Sequence, residues 1–303
     1  MWLSNRKEKK KWGEELEQLL DTFLPLFSRM DDKDYEKMNA ELVFASIFSK
    51  KPSEDEQGTI EEFFEEVNGR SISELDPAIL MLLSLYRQRF KSTGIDQGAD
   101  NPNGQETYKQ VIPSDGRSFQ DKFSLDGQER YSLDISVKNS FNQVELMTYQ
   151  SMLEKKYASR VEEFLRSDIY DRVKDGLIDR EEMYILTHWV FYLSYLNEFP
   201  EFFSYFPEKG QKLLEQRLSS YTVSCLIKED YDLLAELLLC YLLMGQSVKM
   251  TYDSIFKKAF RQLYHFMKKL EETTKSHELS EISGYYHTVL VLKMVKDLIE
   301  VSE

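Results

Sequence analysis

The sequence predicts an all-α protein, a multi-helix array of antiparallel helix pairs interrupted by one small irregular insertion that holds a β-hairpin. Three observations carry that prediction. Apolar residues recur at three- and four-residue spacing over most of the 303 residues, the period of a helix that buries one face. Five of the twelve glycines and two of the seven prolines are confined to residues 91–140, so helix breakers are sparse elsewhere. Hydrophobic residues make up 42% of the chain and charged ones 30%, enough for a core and for a surface to cover it.

The elements follow in order. From Trp12, the residues Leu16, Leu19, Leu20, Phe23 and Phe27 form one apolar stripe, with Pro25 placed to kink its last turn. A second helix runs from Asp34 to Ser49, and a short acidic one from Thr59 to Val67, stopped by Asn68-Gly69. Asp76 followed by Pro77 reads as an N-cap and a first-turn proline that open the apolar run Ile79 to Tyr86. Residues 1–90 are thus expected to form an N-terminal helical bundle, and residues 91–140 an irregular insertion. Within the insertion, Tyr131, Leu133, Ile135 and Val137 alternate with polar residues. Asp126-Gly127 separates them from Phe119 to Leu125, which predicts a hairpin, and Ser92 to Glu106 is expected to be a loop. In residues 141–303, a C-terminal helical array, helices are expected near 143–168, 180–197, 209–226, 229–245, 251–273 and 280–301.

With 39 basic against 53 acidic side chains the chain carries a formal charge of −14, which argues against nucleic acid and favours a basic protein or peptide as partner. The first twelve residues oppose this, with five cations against Glu8. Cys225 and Cys240 lie 15 positions apart in no CxxC pair, a usage that suits the cytoplasm. The longest apolar stretch, Leu233 to Met244, is interrupted by Glu236 and is too short to span a bilayer. No apolar run of signal-peptide type follows the basic start.

Two stretches could carry chemistry. Asp171 to Glu182, DRVKDGLIDREE, partly fits a calcium loop, with Gly176 at the turn and Glu182 as a bidentate ligand. Val173 removes one oxygen ligand, however. Asp179 and Glu182 also have the spacing of a helix capping box, and that reading is preferred. The second stretch joins Thr187 and His188, inside the apolar run Ile185 to Leu196, to Asp232 and Glu236. Glu236 sits among Leu233, Leu234, Ala235, Leu237, Leu238 and Leu239, a helix apolar on nearly every side and so fully packed. A carboxylate there must be protonated, hydrogen-bonded or paired. His188 is the expected partner, with a tyrosine or a backbone group the alternative. Thr187, His188, Asp232 and Glu236 form the candidate polar site, open to a structural, a ligand- or metal-binding, or a catalytic role.

This second stretch resembles a bacterial family of helical proteins known only as a domain of unknown function. Thr187, His188, Phe191, Tyr192, Asp232, Leu233 and Glu236 look like that family's Thr-His pair with following aromatics and its later acidic-Leu-Leu-x-Glu-Leu-Leu helix. The likeness spans residues 183–245, and where the family has Thr-Asp-Phe-Gly after the aromatics this chain has Ser194 to Asn197. It implies a helical fold and no mechanism.

Ten aromatic residues fall within the 23 positions from Tyr184 to Phe206. Most belong in a core, yet Pro200 breaks the helix among them, so Trp189, Tyr192, Phe199, Phe202 and Phe203 are also candidates for a peptide groove. His277 and His287 have no second ligand at metal spacing and read as surface or capping residues. No phosphate loop, nucleophile elbow or zinc motif occurs, so no catalytic residue, cofactor or metal ligand is assigned. The expected function is a cytoplasmic module of the immunity, inhibitor or adaptor type that binds a protein or peptide. The alternative is an enzyme or accessory subunit using the His/Asp/Glu site, for example in peptide maturation.

Overall fold

A computed structural model of the chain describes residues 6–27, 35–49, 52–68, 77–91, 137–176, 178–245, 253–274 and 285–301. The fold is all-α. Among the described residues there are twelve α-helices, one 3-10 helix and no strand. The helices are α1 (Arg6–Phe27), α2 (Tyr35–Ser49), α3 (Glu54–Asn68), α4 (Pro77–Lys91), α5 (Val137–Leu153), α6 (Val161–Leu165) and α7 (Asp168–Asp175). After these come α8 (Arg180–Leu193), the 3-10 helix Pro200–Tyr205, α9 (Glu208–Lys228), α10 (Tyr231–Met244), α11 (Asp253–Thr274) and α12 (Tyr286–Val301). The expected loop and hairpin of the insertion lie outside the described residues, except Val137, which opens a helix instead of closing a strand. None of the described helices is long and apolar enough to cross a membrane.

The stretch expected as one helix over 143–168 holds two, α5 and α6, and ends where α7 begins. α5 ends in a left-handed residue, Lys155 at φ 53°, where the amides of Lys156 and Lys155 reach back to the carbonyls of Ser151 and Met152, the Schellman pattern. α8 ends the same way. Leu196 N reaches Phe191 O and Tyr195 N reaches Tyr192 O, so the helix stops at Leu193 although its apolar period continues. Tyr195, Leu196 and Asn197 all have positive φ, an uncommon run for residues with a Cβ. Burial of Tyr195 and Leu196 and a bond from Tyr195 OH to Ala158 O at 3.0 Å hold it.

The residues cluster into two units. The first contains residues 1–56 and 157–303, the second residues 57–156. In the first unit α10 is the central helix. From Leu233 to Met244 every residue but Leu242 is buried, and α8, α9, α11, α12 and the 3-10 helix all pack on it. α12 is nearly as enclosed and takes α1 and α2 on its other sides. Trp12 of α1 stacks on Phe260 of α11 at 4.7 Å between ring centroids. Lys293 of α12 is buried among Ser49 Oγ at 2.9 Å, Asp297 at 3.3 Å and Glu56 at 3.6 Å. In the second unit α4 packs on α5, and Arg87 lies over the Phe64 ring at 4.0 Å.

The Asp171 to Glu182 segment is a helix end followed by a helix start. Gly176 caps α7 at φ 72°, and Arg217 donates to Val173 O and Lys174 O there. A Cβ at Gly176 would meet the Arg217 guanidinium at 2.6 Å. Asp179 and Glu182 then form a full capping box on α8, and Glu182 also takes an ion pair from Arg172. Its carboxylate is therefore already engaged.

Candidate functional site

α8 presents Tyr184, Thr187 and His188 at the i, i+3, i+4 spacing that puts side chains on one face. α10 presents Asp232 and Glu236 one turn apart. Their N-termini are tied by Arg180, which meets Asp230 through two hydrogen bonds of 2.7 and 3.1 Å and lies 3.5 Å from Asp232. Asp230 also caps α10 by accepting from Leu233 N. The capping box of α8 and the cap of α10 thus set the register in which the polar faces meet.

Glu236 is fully buried, and its partners are specific. Thr187 Oγ1 donates to Glu236 Oε2, and His287 Nε2 lies 2.7 Å from Glu236 Oε1. His188, the expected partner, is near but secondary. Its Nδ1 stands 3.6 Å from Glu236 Oε2 and makes its hydrogen bond of 3.0 Å with Tyr184 O, one turn back. His287, expected at the surface, is the centre of the cluster. Its Nδ1 faces Glu41 Oε2 of α2 at 2.8 Å, Tyr184 OH lies 3.2 Å from its Nε2, and Asp232 is 4.0 Å away. Thr288, the next residue, donates to Asp232 at 3.2 Å.

The electrostatics follow from this geometry. Burial alone would depress the His287 pKa, but hydrogen bonds to Glu236 and Glu41 hold it well above the usual histidine range. Both ring nitrogens face carboxylates, so both carry protons and the ring is an imidazolium. Burial would raise Glu236, yet the pull of His188 and the His287 hydrogen bond keep it below the ordinary glutamate value. Asp232 is raised, because burial outweighs the opposing pull of His287. Burial, reinforced by the surrounding carboxylates, drives the Tyr184 phenol far up. The cluster is therefore a hydrogen-bonded chain, Glu41 to His287 to Glu236 to Thr187, that joins α2, α12, α10 and α8. It can hold four helices in one register and relay a proton between two carboxylates through an imidazole.

All four residues of the candidate polar site, Thr187, His188, Asp232 and Glu236, come together. Sequence reasoning missed Glu41, Tyr184 and His287. Among the described residues no group of three or more His, Cys, Asp or Glu side chains is arranged to hold a metal ion. The groove candidates Trp189, Tyr192, Phe199, Phe202 and Phe203 are all buried. Trp189 packs on Phe164 at 5.3 Å, and Phe203 on Phe206 at 5.5 Å.

Fold and site together define an all-α protein whose central helices are joined by a buried histidine–carboxylate cluster. The chain belongs to the family described as a domain of unknown function, DUF6895, whose model matches residues 138–295. That stretch contains every member of the cluster except Glu41. No curated protein and no solved structure matches the chain.

Proposed function

We propose that the chain is a protein- or peptide-binding module of the immunity, inhibitor or adaptor kind, acting in a bacterial cytoplasm. The observation that carries this reading is an exposed apolar pair on α9. Ile227 is 77% exposed and Val223, one turn earlier, 40%. Two large aliphatic side chains on one helix face leave apolar surface in water that a partner's side chains would cover. The polar cluster supports the same reading because its buried core is already satisfied from within. Glu236, Thr187 and His287 engage one another, which fixes the helices and leaves recognition to the surface. Both cysteines are free and buried, and burial pushes the Cys225 thiol up to about 12. Unpaired, unreactive thiols suit a reducing compartment.

The test is photocrosslinking in the native host from an unnatural residue at position 227, with exposed position 163 as control. A discrete protein adduct from 227 and none from 163 supports the module. No adduct, or the same adducts from both, overturns it. The second reading is an enzyme or accessory subunit acting at the cluster. It is favoured by the partial exposure of the His188, His287 and Asp232 side chains, 16%, 18% and 32%. His188→Gln separates the two, since a binding module keeps its activity when the fold holds and an enzyme loses it.

A further inference from the structure

α11 has two chemically opposite faces. Phe256, Ala259, Phe260, Leu263 and Met267 are buried. From Ser254 to Leu270 the rest of the helix carries five Lys or Arg residues and His265, with no carboxylate. In a chain of net charge −14 this is a local reversal of sign. Lys258, Arg261, His265 and Lys269 are all exposed, and their spacing of three, four and four residues puts them in one row about 16 Å long. A shallow depression of about 640 Å³ runs along this face, bordered by Ser254, Lys257, Lys258, Arg261, Gln262 and His265. Gln262 Nε2 also donates to Leu226 O at 3.2 Å, so the last turn of α9 lies against this face. The residue after Leu226 is the exposed Ile227.

From this juxtaposition we infer that the α9–α11 face docks an acidic amphipathic segment of another protein, its apolar side chains on Val223 and Ile227 and its carboxylates on Lys258, Arg261 and His265. The inference rests on the binding-module reading and names the partner class for the same surface. The net charge favours basic partners at long range, but the Debye length at physiological salt is about 8 Å, so at contact the sign of the local row decides. A nucleic acid fits this face poorly. Its phosphates offer no apolar counterpart to Ile227, and its dense charge meets the field of the whole chain. An anionic membrane surface meets the same opposing field. A short acidic segment supplies both chemistries with few charges.

The test uses the full chain and four probes at physiological salt: a fluorescent helical peptide of Leu and Glu, its Lys-for-Glu counterpart, a thymidine oligonucleotide, and phosphatidylglycerol vesicles. The Glu/Leu peptide is expected to bind at least about tenfold more tightly than the other three. The double substitution Lys258→Glu with Arg261→Glu is expected to weaken it by a further factor of about ten, as is Ile227→Asp. All these residues are exposed, so the melting temperature should not move, and circular dichroism verifies that. Equal binding of the two peptides overturns the proposal. So does indifference to the charge reversal, or tighter binding of the oligonucleotide or the vesicles. Should position 227 still crosslink to a protein in the host while the acidic peptide shows no preference, the partner class is wrong and the module stands. Absence of the crosslink removes the module itself.

Discussion

His287 and Glu236 are 51 positions apart in the chain, and His287 Nε2 lies 2.7 Å from Glu236 Oε1. The contact closes α12 onto α10, and Glu41 on the opposite ring nitrogen adds α2. One imidazolium therefore satisfies two carboxylates from two helices. Removing any member leaves a buried charge without its counterpart, which costs more than the pair contributes over an apolar substitute.

The order of stability should be wild type, Glu236→Gln, Glu236→Ala. Glutamine keeps the shape and can still accept from Thr187 and His287, but without the charge. Alanine leaves a cavity and orphans both donors, a loss of about 2 to 4 kcal/mol. Urea denaturation of the three proteins measures this, and coincident curves would show that Glu236 is in water.

The pH dependence has a definite sign. The folded-state pKa of His287 is raised above its ordinary 6.5, so the stability it contributes is fully present below about pH 6.5 and is lost as pH rises through the folded value. Glu236 is lowered from 4.5, so its contribution is present above that pH and is lost as pH falls through the folded value. The gap in melting temperature between wild type and His287→Gln should be widest near pH 6 and narrow toward alkaline pH. A constant gap from pH 6 to 10 would mean that the ring is not an imidazolium.

Glu229 and Tyr195 share a left-handed backbone, φ 57° and 47°, in opposite surroundings. Glu229 is exposed at the end of α9, so Glu229→Gly removes the steric cost and should stabilise the protein by about 1 kcal/mol. Tyr195→Gly relieves the same strain but gives up a buried ring and its bond to Ala158, and should destabilise it. Thermal melts of both variants should move in opposite directions.

Lys293→Met should destabilise the first unit by about 3 kcal/mol, since Glu56 and Asp297 lose their buried cation. Replacing Lys296, which is less buried and pairs with the half-exposed Glu300 at 2.9 Å, should cost less than about 1 kcal/mol. Urea is the denaturant of choice, because the ionic strength of guanidinium would screen the difference.

Much of this was legible from local pattern. The bounds of α9, α10 and α11 fall within two residues of the apolar periods that predicted them. The burial of Glu236 followed from leucines on every side, and the Asp179–Glu182 box from its spacing. The break after α5 was not legible, because Lys155 rather than glycine takes the left-handed position. The identity of Glu236's partner was also hidden. Glu41 and His287 are 246 residues apart, and only the packing of α2 against α12 brings them together. One signal was available: His287 precedes the run Thr288 to Leu292 without an acidic residue one turn away on its own helix. That is the situation that made Glu236 call for a partner.

α12 is synthesised after every other described helix, and it is the helix on which α1, α2 and α10 converge. On the ribosome the faces those three turn to α12 stay uncovered until residues 286–301 emerge. Non-local closure of this kind slows folding and lengthens exposure to aggregation. The nascent chain is therefore expected to engage a holdase chaperone until α12 arrives.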